Sequence, residues 1–208
     1  MPFATPPWDA AIFDALHFGT RNAVFDVLMP LVSSPAFLWL TVGLAVAAGL
    51  RNRTWSRRAV VFVALVASLA LADAGTNVVK KQVGRLRPLN ALPMVHYHED
   101  GEWRQRPADF VPVKPRGNSY PSAHAANSMA VACVALFFWP RAVRFAWTLP
   151  FLVGFSRVYL AKHYPTDVAM GWLFGVAVAC CVCAALTALR VPSLDGASRP
   201  DASPPVRT

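Results

Sequence analysis

The sequence predicts an all-α polytopic membrane helix bundle of about five spans plus an N-terminal interfacial helix, and three observations carry that prediction. Of the 208 residues, 55% are hydrophobic and only 15% charged, with a mean hydropathy of +0.39. Soluble domains of this size carry more charge. Residues 27–50, 125–140 and 168–189 contain no Asp, Glu, Lys, Arg or His. Residues 59–79 hold only Asp73 of that set, and residues 145–161 only Arg157. A helix of about 20 residues crosses the hydrocarbon layer, fewer when polar ends reach the interface. In lipid the backbone finds partners only inside a helix. Spans are therefore expected near 34–50, 59–79, 122–140, 145–161 and 167–189.

Residues 1–33 form the first unit. Within 9–32, Phe13, Leu16, Phe18, Phe25, Leu28 and Leu31 alternate with Asp9, Asp14, His17, Arg21 and Asp26. That mixture suits a helix lying in the interface; a sixth span is the competing reading. No basic segment precedes a short apolar core, so no signal peptide is expected. Residues 34–189 form the membrane domain, interrupted by the polar loop 89–120. Residues 190–208, with Pro192, Pro200, Pro204 and Pro205, read as a disordered cytoplasmic tail. Cys133, Cys180, Cys181 and Cys183 all fall inside expected spans, as small helix- or lipid-facing residues rather than disulfides or metal ligands.

The net charge of +9 is unevenly placed. Arg51, Arg53, Arg57, Arg58, Arg141, Arg144, Arg190, Arg199 and Arg207 share one side in a five-span topology, and the positive-inside rule makes that side cytoplasmic. The other side carries Lys80, Lys81, Arg85, Arg87, Arg104, Arg106, Lys114 and Arg116, cations better explained by an anionic ligand. No nucleic-acid partner is expected; the bilayer and an anionic ligand are.

Three clusters at span ends carry the chemistry. Lys80 and Arg87 stand seven apart, about two helical turns, so both can face one way if the helix runs on to Pro88. Lys offers a compact charge and Arg a planar fork for phosphate oxygens; snorkelling to headgroups is the alternative. Pro121-Ser122-Ala123-His124 opens the third span. Ser122 is a candidate N-cap, and a helix N-terminus presents free N–H groups to an anion, while His124 could protonate a leaving oxygen. A simple cap beside an interfacial histidine is the plainer reading. Ser156-Arg157 and His163-Tyr-Pro-Thr-Asp167 form the third cluster. A charge at the depth of Arg157 needs a reason. Asp167 can reach back to one ring nitrogen of His163 and leave the other free to attack phosphorus.

Elsewhere, His96, His98, Glu99, Asp100 and Glu102 in the polar loop suit a lid recognising headgroups, or alternatively a divalent metal site. Asp73, Asn77 and Lys80 share a helix stripe that could orient the lysine, or make a structural hydrogen bond. Gly171 and Gly175 form a small-residue face for helix packing.

The three clusters, with Gly171, Trp172 and Gly175 following the third, resemble the type 2 phosphatidic acid phosphatase superfamily over residues 34–189. The first and third match residue for residue; in the second, Ala123 stands where the family usually has Gly, whose N–H approaches the phosphate. The resemblance implies His163 as nucleophile oriented by Asp167, and His124 as the acid for the leaving group. It also implies Lys80, Arg87, Ser122, the Ala123 backbone and Arg157 as phosphate ligands, with a phosphohistidine intermediate and no metal or other cofactor. Undecaprenyl pyrophosphate is the substrate expected first, with lipid A phosphate, phosphatidylglycerophosphate and phosphatidate as alternatives. The surplus cations Lys81, Arg85, Arg104 and Arg106 are expected to meet the second phosphate. The site is expected to face the periplasm from a bacterial inner membrane. A lipid phosphotransferase and a non-catalytic lipid-binding or transport protein are the rival readings.

Overall fold

A computed structural model describes residues 4–194, apart from the side chains of Leu38, Ala45, Ala48 and Arg144. The helices are α1 (Pro7–His17), α2 (Ala23–Val32), α3 (Pro35–Leu50), α4 (Trp55–Val83), α5 (Ala123–Phe138), α6 (Val143–Ala146), α7 (Thr148–Tyr159) and α8 (Pro165–Ala188). Between α4 and α5 the polar loop folds a hairpin, β1 (His96–Glu99) and β2 (Glu102–Gln105), a departure from the all-α expectation. Asp100 and Gly101 form its two-residue turn, both at positive φ, and Asp-Gly is the sequence pair that favours such a turn.

All five expected spans are helical, but they are not equal. Among the described residues two helices are long and apolar enough to cross a bilayer: α4, within Trp55–Asn90, and α8. A third candidate appears when α2 and the first part of α3 count as one unit bent by 69°. The bend follows from Pro35, which starts a new helix, and from Ser34, whose Oγ accepts the Phe37 amide at 3.1 Å. Helix α5 is a shorter apolar helix, and the segment expected at 145–161 is split into α6 and α7.

Helix α5 is the axis of the bundle and packs against α4, α7 and α8. Its contact face is small: Ala125, Ala126 and Ala130 are fully buried. A Cβ at Gly171 would come within 2.5 Å of the Ser122 carbonyl, and one at Gly175 within 2.4 Å of the Ala126 carbonyl. The α5 and α8 backbones therefore touch, the packing that small residues permit in lipid. Outward faces stay apolar, with Phe62, Val63 and Leu71 on α4 and Leu173 on α8 exposed. Helices apolar on both faces belong in a membrane.

Both termini are docked where described. Helix α1 packs on α7 and α8, with Phe13 fully enclosed; that burial contributes roughly 2–3 kcal/mol. His17 donates from Nδ1 to the Tyr159 carbonyl at 2.8 Å and accepts the His96 amide at Nε2 at 3.1 Å. Residues 4–33 are thus packed into the bundle and are more than an interfacial attachment. At the opposite end the start of the expected tail is ordered: Leu194 is buried, its amide donates to Phe138, and Arg53 donates to its carbonyl. Residues 195–208 of that tail lie outside the described residues.

Candidate active site

Four helix ends meet on one side of the bundle: the C-termini of α4 and α7 and the N-termini of α5 and α8. Backbone bonds lace them together, from the Ser122 amide to the Asp167 carbonyl, Ser119 to Arg85 and Leu89 to Ala161, each 2.9 Å.

Lys80 sits half-buried in the last turn of α4. That helix does not run on to Pro88, the condition under which Lys80 and Arg87 would share a face. Gly84 takes φ +68° and returns its amide to the Lys80 carbonyl, the left-handed glycine cap. Arg87 therefore stands on extended backbone and comes from a loop, not from the helix face of Lys80. The stripe from Asp73 stops early, with Asn77 Nδ2 donating to Asp73 at 3.1 Å on an exposed surface. Ser122 caps α5, accepting the Ala125 amide at 3.5 Å. Ala123 is the first residue of that helix and is buried, and His124 follows half-buried.

Arg157 is 4% exposed in the last turn of α7. Its Nη1 donates to Ser33 Oγ, a contact from the α2–α3 junction. Its carbonyl accepts the amides of Lys162 and His163 at 3.0 and 3.1 Å. Ala161, at φ +53°, makes that tight reversal and swings His163 back beside the arginine.

His163 Nδ1 faces Asp167 Oδ2 at 3.6 Å and Ser119 Oγ at 3.4 Å, so the His–Asp contact is electrostatic with the serine beside it. Asp167 is fully enclosed. Its Oδ2 accepts from Ser119 Oγ at 2.6 Å and from the Tyr164 amide at 2.9 Å, and its Oδ1 accepts from Arg85 Nη1 at 2.7 Å. Burial pushes the His163 pKa down to about 4, against the raising effect of Asp167 and with Arg157 and Arg87 adding to the fall. A ring with that pKa is neutral at pH 7, the form in which an imidazole nitrogen can act as a nucleophile.

Lys162 joins these residues. Burial, followed by Arg157 and Arg87, lowers its pKa to about 8. With Arg87 and Glu99 it lines a cavity of about 410 Å³. His124 lies within electrostatic range of Arg157, His163, Lys162 and Lys80, and no carboxylate faces it in that set. Arg87 Nε and Arg157 Nε are buried without a protein acceptor. A buried donor left unmatched is costly, and an anion at this end would supply an acceptor to both. The arrangement can hold a phosphoryl group with fixed charge and attack it with an imidazole.

The surplus cations are placed otherwise than expected. Arg85 is 1% exposed, between Asp167 and Asp9. Arg104 lies 3.7 Å from each of Glu99, Asp100 and Glu102. Arg106 donates to the Leu89 carbonyl and covers Tyr97 and Phe110. Lys81 does face open space, with Lys80, Lys114 and Arg116, in a cavity of about 690 Å³ whose lining has no carboxylate. His96 lies tilted against His17 and edge-on to Phe18, while His98 packs edge-on to Trp103. Among the described residues no three His, Cys, Asp or Glu side chains converge as a metal site, and the four cysteines are free. Ser119, Asp9, Ser33 and Lys162 were not picked out as site residues from sequence, and Arg85 was expected to meet substrate and not Asp167; Ser119 and Lys162 border or fall inside the motifs, whereas Asp9 and Ser33 give no local signal.

The PAP2 superfamily model matches residues 61–190, more than half of the chain. An undecaprenyl-diphosphatase of Sulfolobus acidocaldarius is 32% identical over 117 residues, 54% of this chain and 49% of that protein. A lipid A 4'-phosphatase of Bacteroides thetaiotaomicron is 30% identical over 139 residues, 61% of this chain and 54% of that protein. The chain thus spans about half the length of these curated relatives. The crystal structure of Aquifex aeolicus LpxE shares the fold with a TM-score of 0.65, covering 88% of this chain and 98% of that one at 19% identity.

Proposed function

Because the chain belongs to the PAP2 superfamily, we propose that it is an integral membrane phosphatase that hydrolyses a lipid phosphate or diphosphate through a phosphohistidine. The observation that carries the reading is the pairing of a held nucleophile with unmatched donors. His163 Nδ1 is turned toward Asp167 and Ser119, while Arg87 Nε and Arg157 Nε have no protein acceptor.

In the first step His163 Nε2 attacks phosphorus, the bond to the leaving oxygen breaks, and His124 gives that oxygen its proton. The anionic substrate is the counter-charge that the protonated His124 requires. Asp167 stabilises the positive charge that the attacked ring acquires. In the second step His124 takes a proton from water, whose oxygen displaces His163 and releases phosphate. Lys80, Arg87, Arg157, the Ser122 hydroxyl and the first amides of α5, Ala123 included, hold the phosphoryl oxygens. Phosphoryl transfer depends mainly on positioning and neutralised charge, and these cations supply both, so activity is expected to persist in EDTA.

A polyprenyl diphosphate such as undecaprenyl pyrophosphate is the substrate of first choice. The cavity shared by Lys80, Lys81, Lys114 and Arg116 has room and charge for a second phosphate, and a matched relative is named an undecaprenyl-diphosphatase. We read five crossings, α3, α4, α5, α6–α7 and α8, with the arginine-rich loop 51–58 in the cytoplasm of a bacterial inner membrane and the site at the periplasmic face. The test is phosphate release from a panel of purified lipid phosphates and diphosphates, with and without chelator, by wild type and His163→Ala. Release that His163→Ala leaves intact would overturn the mechanism; release that chelator abolishes and Mg2+ restores would overturn its metal independence.

A further inference from the structure

The Asp9 carboxylate is fully enclosed, on a helix that contributes no phosphate ligand and lies outside the matched residues 61–190. Its Oδ2 accepts from Arg85 Nη2 at 2.5 Å and Thr166 Oγ1 at 2.6 Å, and its Oδ1 accepts the Thr166 amide at 3.0 Å. Arg85 turns its other amine, Nη1, to Asp167 Oδ1 at 2.7 Å and to Thr166 Oγ1 at 2.8 Å. Nη2 also reaches Thr5 Oγ1 at 3.2 Å, and the guanidinium carbon lies 3.9 Å from the Tyr164 ring centre. One buried guanidinium thus stands between two buried carboxylates, and one of these is the partner of His163.

Charge counting gives the arrangement a purpose. Asp9, Arg85 and Asp167 together carry one net negative charge, which is what an imidazolium at His163 needs beside it. Without the Asp9 charge the trio is neutral, and of the two carboxylates on Arg85 only Asp167 still carries its charge. A guanidinium in that position favours a bidentate grip, which would draw Asp167 Oδ2 away from Ser119 and His163. We propose that Asp9 is a positioning residue for the reaction: it holds Arg85 from behind, so that Asp167 keeps both its orientation and its charge for His163. This rests on the phosphohistidine reading above. It also makes α1 part of the catalytic apparatus.

The test compares Asp9→Asn, Asp9→Glu and Thr166→Val in the full chain, purified in detergent, with thermal unfolding as the check of folding. Loss of an outer partner of a catalytic group typically costs 10–100-fold, and Asp9→Asn is expected to lower kcat by about that factor with KM within about twofold of wild type. Inhibition by inorganic phosphate, which reads Lys80, Arg87 and Arg157, should stay as in wild type. Inhibition by vanadate, whose five-coordinate adduct needs the His163 nucleophile, should weaken in step with kcat. A disordered site would weaken both alike, and that result overturns the proposal. Asp9→Glu should recover part of kcat. Thr166→Val removes only the hydroxyl that bridges Asp9 and Arg85, and should fold even where Asp9→Asn does not. Wild-type kcat in a folded Asp9→Asn, or in Thr166→Val if the former fails to fold, overturns the role of Asp9 alone. A wild type that neither binds vanadate nor releases phosphate overturns the functional reading instead.

Discussion

The two sides of His163 follow opposite rules. Behind the ring, Asp167 has a donor on each oxygen, Arg85 lies between two carboxylates and Ser119 bonds Asp167. In front, Arg87 and Arg157 each keep a buried Nε without an acceptor. At the rear the charged groups are paired with one another; at the front an anion would supply the acceptors that Arg87 and Arg157 lack at Nε. Buried charges that lack partners are expensive and persist where a ligand supplies the partner. Substitutions behind the ring should therefore damage turnover and stability, and those in front should damage substrate binding.

The largest effect should come from the residue that both sides share. His163→Ala should abolish turnover in a folded protein, because the proposed mechanism routes the attack on phosphorus through this imidazole. Asp167→Asn removes the charge behind the ring and leaves a near-isosteric side chain; kcat should drop by about 10²–10⁴, as in other His–Asp pairs. Phosphate release measured on both variants checks this. If Asp167→Asn lost substrate affinity but kept kcat, the contrast between rear and front would be wrong.

In front of the ring, Arg157→Lys keeps a positive charge and loses the fork. Ser33 would lose its donor, and the remaining ammonium could not span two phosphoryl oxygens. We expect kcat/KM to fall by about 10²-fold, in the range found when one transition-state donor is removed, while Tm changes little. Ser33→Ala should reproduce only a fraction of that loss, since it frees Nη1 without removing it. Equal losses from the two would mean that Ser33 meets substrate directly.

Most of the front was legible in the sequence and most of the rear was not. Lys80, Arg87, Ser122, His124, Arg157 and His163 fall at the ends of apolar stretches, where charge has to be justified by function. Asp167 could be read because it lies four residues from His163 across a proline. Asp9 and Arg85 are 76 residues apart, and no periodicity announces such a pair; the docking of α1 through Phe13 and His17 creates it. Arg85 looked like one more loop cation because burial cannot be read from charge alone. The extended path to Arg87 was hidden for a related reason. Gly84 was available as a helix cap, yet the heptad spacing of Lys80 and Arg87 suggested a continuous helix. Five apolar stretches were visible, but the break at Trp147–Thr148 that splits α6 from α7 carries no glycine or charge to mark it.

A smaller effect should separate cations that face substrate from those already engaged. Lys81 and Lys162 line cavities beside the site, whereas Arg104 is surrounded by carboxylates. Lys81→Ala and Lys162→Ala should each raise KM for a lipid diphosphate by about tenfold, equivalent to about 1.4 kcal/mol. Arg104→Ala should leave KM within about twofold, since exposed ion pairs contribute at most about 1 kcal/mol. Kinetics on a diphosphate and a monophosphate lipid of matched solubility would decide. A loss with Arg104→Ala equal to that with Lys81→Ala would shift headgroup recognition to the hairpin.

The smallest effect concerns the rear alone and appears in stability, not turnover. His17 and His163 are both almost fully buried, and burial is the main cause that lowers each pKa from 6.5 to about 4. Below pH 6.5 the unfolded chain takes up protons at these residues and the folded chain does not. Unfolding free energy must therefore rise with pH between about 4 and 6.5 and level off above. His17 holds its neutral form through a donor to Tyr159 and an acceptor for His96, so its share should amount to about 1–3 kcal/mol across that window. His17→Gln keeps a donor and an acceptor without titrating. It should flatten the fall of Tm on acidification from pH 7 to 4.5, and leave at pH 7 only a modest loss from imperfect packing against Phe13. A variant that loses stability equally at every pH would show that His17 acts through shape, and that the rear wall owes its order to packing and not to the neutral state of its imidazoles.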